Sequence, residues 1–97
     1  MPQLVVDPNT VLRIRRALDR AAPPPATVDE RGWRDRRDEL LDVFEAGRTA
    51  EVDDAALRRV IDLLSEAASD PRARLSEAEW RRQVDELVPE LLALSRS

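Results

Sequence analysis

The chain has no cysteine, no histidine, no lysine and no tyrosine, and two glycines in all. Each absence removes a class of chemistry. Without cysteine there is neither a disulfide framework nor a thiolate metal site. Without histidine the commonest metal ligand and the commonest general base are missing. Without lysine no Schiff base can form. The serines, Ser65, Ser69, Ser76, Ser95 and Ser97, have no histidine or lysine base to activate them. Gly32 and Gly47 are too few for a phosphate-cradling loop. No apolar run approaches the roughly 20 residues that span a bilayer. The start, Met1-Pro2-Gln3-Leu4-Val5-Val6, lacks the basic region and apolar stretch of a secretory signal. The expectation is a non-catalytic cytoplasmic chain with no cofactor, no metal and no membrane association.

What is present suffices for one small domain, residues 1–97. Of the 97 residues 42% are hydrophobic and 37% charged, enough for one core under a well-solvated surface. All 16 cationic residues are arginine; with abundant alanine, this points to a GC-rich bacterial genome. The net charge of −4 lies in the second half: residues 1–48 carry nine acids and nine arginines, residues 49–97 eleven acids and seven arginines. An acidic chain is a poor non-specific binder of nucleic acid, because phosphate neutralisation supplies most of that affinity.

The sequence repeats itself. Val6-Asp7 and Val52-Asp53 open matching stretches 46 residues apart, in which Val11, Ile14, Leu18, Ala21 and Ala22 correspond to Leu57, Val60, Leu64, Ala67 and Ala68. At an offset of 47, Trp33-Arg34 and Asp38-Glu39-Leu40-Leu41 match Trp80-Arg81 and Asp85-Glu86-Leu87-Val88. The reading is an all-α four-helix bundle of two tandem helical hairpins, residues 6–47 and 52–96, with an approximate internal two-fold.

Each helix has a start signal. The first spans 8–22, with Asp7 as N-cap, Pro8 at the first helical position, and a staple of Val6 on Val11. Its stripe is Val11, Ile14, Leu18 and Ala21/Ala22, and Pro23-Pro24-Pro25 ends it. The second spans 30–46; Thr27 with Glu30 could cap it, but the repeat favours Asp29, with Val28 stapled on Trp33. Its stripe is Trp33, Leu40, Leu41 and Phe44, and Gly47 is the C-terminal stop. The third spans 54–68, capped by Asp53, with a Val52–Leu57 staple and a stripe of Leu57, Val60, Ile61 and Leu64. Asp70-Pro71 breaks it. The fourth spans 77–95, with a Ser76/Glu79 capping box and a Leu75–Trp80 staple. Its stripe is Trp80, Val84, Leu87, Val88, Leu91 and Leu94. Pro89 lies inside this helix on the side opposite Trp80, where it should bend the axis. No strand is expected; Leu4-Val5-Val6 reads as an extended lead-in packed on the bundle.

The two copies differ in one layer. Arg15 and Arg37 stand where the second copy has Ile61 and Val84. Two guanidiniums beside an apolar surface suit a carboxylate or phosphate; equally, their stems can cover the core while the heads reach water or neighbouring acids. The run Arg31, Arg34, Arg36, Arg37, mixed with Asp35, Asp38 and Glu39, reads as a solvated face with i,i+4 pairs Arg31–Asp35 and Arg34–Asp38, or as anchors for a partner. Trp33 and Trp80 read as core. Partner-binding candidates are thus Arg15, Arg37, Arg34 and Arg36, and the arginines would favour an acidic protein. Replacing Arg15 by Ile and Arg37 by Val is expected to raise stability while weakening that partner.

The function expected is a small protein-interaction module: an adaptor, regulatory subunit, or inhibitor or antitoxin-like partner. The alternative is a nucleic-acid-binding regulator presenting the arginines of helix 30–46 to a groove. Leu12, Val43, Leu63 and Leu92 lie off the main stripes, so homodimerisation is expected as well.

Overall fold

A computed structural model of the chain describes residues 4–21, 23, 27–68 and 78–96. Its elements in order are strand β1 (Leu4–Val6), helix α1 (Pro8–Arg20), helix α2 (Glu30–Val43), strand β2 (Ala50–Val52), helix α3 (Asp54–Ala68) and helix α4 (Ala78–Arg96). The described chain is thus mostly helical, with four helices and a minor sheet.

Aspartates start three of the helices. The Asp7 carboxylate accepts from the Thr10 N–H at 3.4 Å and from its hydroxyl at 2.5 Å, with Pro8 at the first position. Asp29 accepts from the Gly32 N–H and Asp53 from the Ala56 N–H, each at 2.9 Å. These bonds satisfy amides that have no partner within the helix. A Cβ at Gly32 would lie 2.3 Å from Asp29 Oδ2, so a larger residue there would make the capping carboxylate shift. The staple pairs Val6–Val11 and Val52–Leu57 are all buried. Val28 is not: it is fully exposed, and the Val28–Trp33 staple is not made. Ala22, Pro24, Pro25 and the expected Asp70-Pro71 break, Leu75 staple and Ser76 cap lie outside the described residues.

Several expectations need correction. α1 ends at Arg20 instead of residue 22, with Ala21 already in extended backbone. The segment Leu4–Val6 pairs in a sheet, antiparallel to Ala50–Val52, with Leu4 opposite Val52, Val5 opposite Glu51 and Val6 opposite Ala50. Three residues are too short to announce a strand by alternation. The pairing comes from tertiary structure, which sets Val6, Ala50 and Val52 onto the core while Val5 and Glu51 face out. In addition, α2 ends at Val43 instead of residue 46. Phe44 leaves the helical path, φ −101° and ψ 82°, and its ring is wholly buried. Gly47, at φ 78°, serves a turn farther on, not the helix stop. The i,i+4 pairs also differ: Arg34 reaches Glu30 at 4.0 Å and Asp38 is taken by Arg37 at 3.2 Å.

One apolar cluster joins all six elements, and among the described residues no polar or charged side chain is buried. Trp33, Phe44, Ile14, Leu18, Leu57, Leu64, Leu87 and Leu91 are among its fully buried members, with Trp80 beside them. α3 lies most extensively against α4; α1 on α4, α2 on α3, α1 on α2 and α1 on α3 make smaller contacts of similar extent. Pro89 sits within α4 and is exposed, on the outer side as its wheel position requires.

Candidate functional site

The arginine layer is used by the helix ends. Arg15 of α1 donates from Nη1 to the carbonyls of Leu41 and Phe44, at 2.6 and 2.7 Å. Arg37 of α2 donates from Nη1 to the Ala21 carbonyl at 3.0 Å, just past the end of α1. Each helix of this pair thus sends a cation to the other's C-terminal carbonyls, where the backbone dipole favours positive charge. In the second pair Arg81 of α4 reaches the Ala68 carbonyl at the end of α3. The end of α1 receives a further donor. Ala21 N–H bonds to Leu18 O at 3.1 Å, the shorter i−3 partner, and the Ala17 carbonyl instead receives the indole N–H of buried Trp80 at 2.9 Å. Trp33 is equally buried and its indole donates to Glu66 at 3.0 Å.

Arg15 therefore pins the backbone on either side of Val43, the last residue of α2. Val43 is 47% exposed and stands at the edge of a groove of about 460 Å³ between α2 and α3. The floor is apolar: Leu40, Val43, Ala56 and Leu63. The rim carries both signs, Arg36 and Arg59 with Glu39, Asp62 and Glu66. Among the described residues Arg36, Arg59, Glu39 and Asp62 make no ion pair or hydrogen bond through their side chains.

A second, smaller groove of about 160 Å³ lies between α1 and α4 and is lined by Arg13, Arg16, Gln83, Glu86 and Leu87. At the repeat offsets of 46 and 47 these are the counterparts of Arg59, Asp62, Arg36, Glu39 and Leu40. Here an ion pair between Arg13 and Glu90 bridges the two helices. Glu90 is the counterpart of Val43. The helices of the α1–α4 groove are thus tied by an ion pair through Arg13, while at the counterpart position the α2–α3 groove presents an apolar side chain and an arginine with no partner among the described residues.

No family model, curated protein or solved structure matches this chain.

Of the four arginines singled out in the sequence, Arg36 lines the open groove. Arg34 is exposed on the same helix, and Arg15 and Arg37 are directed to backbone carbonyls. Arg59 and Val43 complete the surface, over Leu63, which is buried in the core. Sequence reasoning marked Val43 and Leu63 as off-stripe apolar residues, but Arg59 carried no signal until set beside Arg13. A further cavity, about 370 Å³ between α3 and α4 near Pro89, is lined by Ser65, Arg81 and Asp85 among others. Among the described residues no group of three or more carboxylates is placed to hold a metal, and no helix is long and apolar enough to cross a membrane.

Proposed function

We propose that the chain is a non-catalytic helical protein-interaction module, of the adaptor, regulatory-subunit or inhibitor type, which binds through the α2–α3 groove. The observation that carries this reading is the unbridged groove: an apolar floor under rim charges of both signs, of which Arg36, Arg59, Glu39 and Asp62 have no partner among the described residues. Helix-lined grooves of this kind recognise apolar anchors flanked by charge. Arg36, with Arg34 beside it on the exposed face, is a rim anchor. Arg15 and Arg37 act from behind, by fixing where α1 and α2 end and so where Val43 stands.

In this reading the molecule is two tandem hairpins, residues 6–47 and 52–96, about an approximate two-fold. The sheet register supports it. Exchanging positions 46 residues apart converts the pair Leu4–Val52 into Ala50–Val6 and maps Val5–Glu51 onto itself. The matching linings of the two grooves support it too, as does the way each tryptophan reaches the other hairpin. The open groove is then the place where two copies of one unit have diverged.

The test is capture from the native host by the wild-type chain and by Val43→Asp, whose helicity is checked by circular dichroism. A partner retained by the first and lost by the second supports the reading; identical captures contradict it. The nucleic-acid alternative rests on Arg31, Arg34 and Arg36 along the outside of α2, where Asp35, Asp38 and Glu39 are exposed among them. Retention of duplex DNA at low ionic strength, falling steeply with salt, would establish that alternative instead.

A further inference from the structure

We infer that the occupant of the α2–α3 groove is the same groove of a second copy of this chain, docked about a two-fold axis near Val43. The inference rests on the protein-interaction reading above and names its partner.

The rim charges select this occupant. A uniformly acidic segment would suit Arg36 and Arg59 but meet Glu39 and Asp62; a uniformly basic one would meet the arginines. Like charges brought together at an interface oppose binding. An isologous contact sets every residue of the patch against the patch itself, so a surface bearing both signs is complementary to its own copy. Val43 supplies the apolar contact, being both part of the floor and half exposed.

The chain's other groove shows what is missing. Arg13, which lines the α1–α4 groove, donates to the Glu90 carboxylate of the facing helix. Arg59 stands where Arg13 stands, and Val43 where Glu90 stands. Arg59 has no carboxylate partner among the described residues, and Glu39 of a second copy presents one from the same rim. The nine groove-lining residues per copy fall short of the roughly 20–30 a side of a standard interface. The dimer is therefore weak and concentration-dependent, with a dissociation constant on the order of micromolar to millimolar.

The decisive variant is Val43→Glu, which gives the open groove the residue that bridges its counterpart. It lets Arg59 pair within its own chain and removes the apolar contact. Sedimentation equilibrium of the intact chain from about 10 μM to about 1 mM spans the expected range. The wild type self-associates; Val43→Glu keeps its helicity and associates at least about tenfold more weakly. Arg59→Glu weakens association similarly, and Glu39→Arg in that background restores it. A wild type that stays monomeric throughout overturns the inference, as does a Val43→Glu that associates like the wild type. The protein-interaction reading fails separately. If the wild type is monomeric but Val43→Asp loses a host protein, the groove is an interaction site with a different occupant. If the two captures are also identical, both readings fall.

Discussion

Exchanging the arginine layer of the first hairpin for that of the second, Arg15→Ile with Arg37→Val, tests what these side chains do. From sequence alone the exchange reads as stabilising, since it replaces charge by the Ile61 and Val84 of an ordinary core layer. The geometry reverses that sign. Three bonds to carbonyls at helix ends are lost, two from Arg15 and one from Arg37. A hydrogen bond to a charged group contributes about 1.5–3 kcal/mol when well shielded. These guanidiniums are partly solvated, the Arg37 side chain being 22% exposed, and water can replace them, so about 1 kcal/mol each is the appropriate scale. The cation at each helix end adds about 0.3–1 kcal/mol. Against this, the new side chains bury apolar surface at about 25 cal/mol per Å², but the arginine stems already cover part of it, leaving a gain of about 1–2 kcal/mol. The net loss is about 2 kcal/mol, or roughly 8–16 °C in Tm for a domain of this size. Thermal melts at 222 nm, with urea titrations to confirm an unchanged m-value, measure it. An unchanged or raised Tm would refute the reasoning and show that the helix ends do not need these donors.

Three further outcomes are expected. Gly32→Ala should change stability little, because the helix propensity gained, about 1 kcal/mol, is offset by displacing the Asp29 carboxylate from its cap; in an Asp29→Ala background the same change should stabilise by about 0.5–1 kcal/mol, and equal effects in both backgrounds would contradict the clash. Trp80→Phe should cost about 1 kcal/mol more than Trp33→Phe in chemical denaturation, because the first leaves the buried Ala17 carbonyl without its donor while the second removes a bond to the carboxylate of Glu66, an exposed residue. The bond from the Thr10 hydroxyl, aided by backbone amides, holds the Asp7 pKa below its ordinary value of 3.8. The unfolded chain therefore binds its proton at higher pH than the native chain does. The contribution of Asp7 is full above pH 3.8 and fades as pH falls through the lowered native value. Asp7→Asn, which still caps, should flatten this part of the Tm–pH curve, and an identical acid slope would count against it.

The sequence carried most of the local structure and little of what depends on distant parts of the chain. The aspartate caps, the bounds of α3 and the buried stripes follow from residue type and spacing. So does the exposure of Pro89. The β1–β2 pair was hidden because two three-residue segments show their purpose only when brought together. The early end of α2 was hidden because Phe44 leaves the helix to fill the core, an advantage that exists only in the assembled fold. Arg15 and Arg37 were visible as an anomaly, but their acceptors are carbonyls 16 to 29 residues away along the chain, and no local pattern encodes them. The candidate groove lies between these cases. Val43 and Leu63 stood out as surplus apolar residues, Arg36 as an anchor. The comparison of Val43 with Glu90, however, became meaningful only when the ion pair between Arg13 and Glu90 was seen to bridge the counterpart groove.

The cysteine-free sequence permits one direct test of the central claim that the α2–α3 groove is where this protein meets a partner of its own kind. Val43→Cys and, as a control on another exposed apolar position, Leu12→Cys each give the chain a single thiol. Under mild oxidation at high protein concentration, Val43→Cys should form a disulfide-linked dimer much faster than Leu12→Cys, because a two-fold axis near residue 43 brings its thiols together. Equal, collision-limited rates for the two variants would contradict the account.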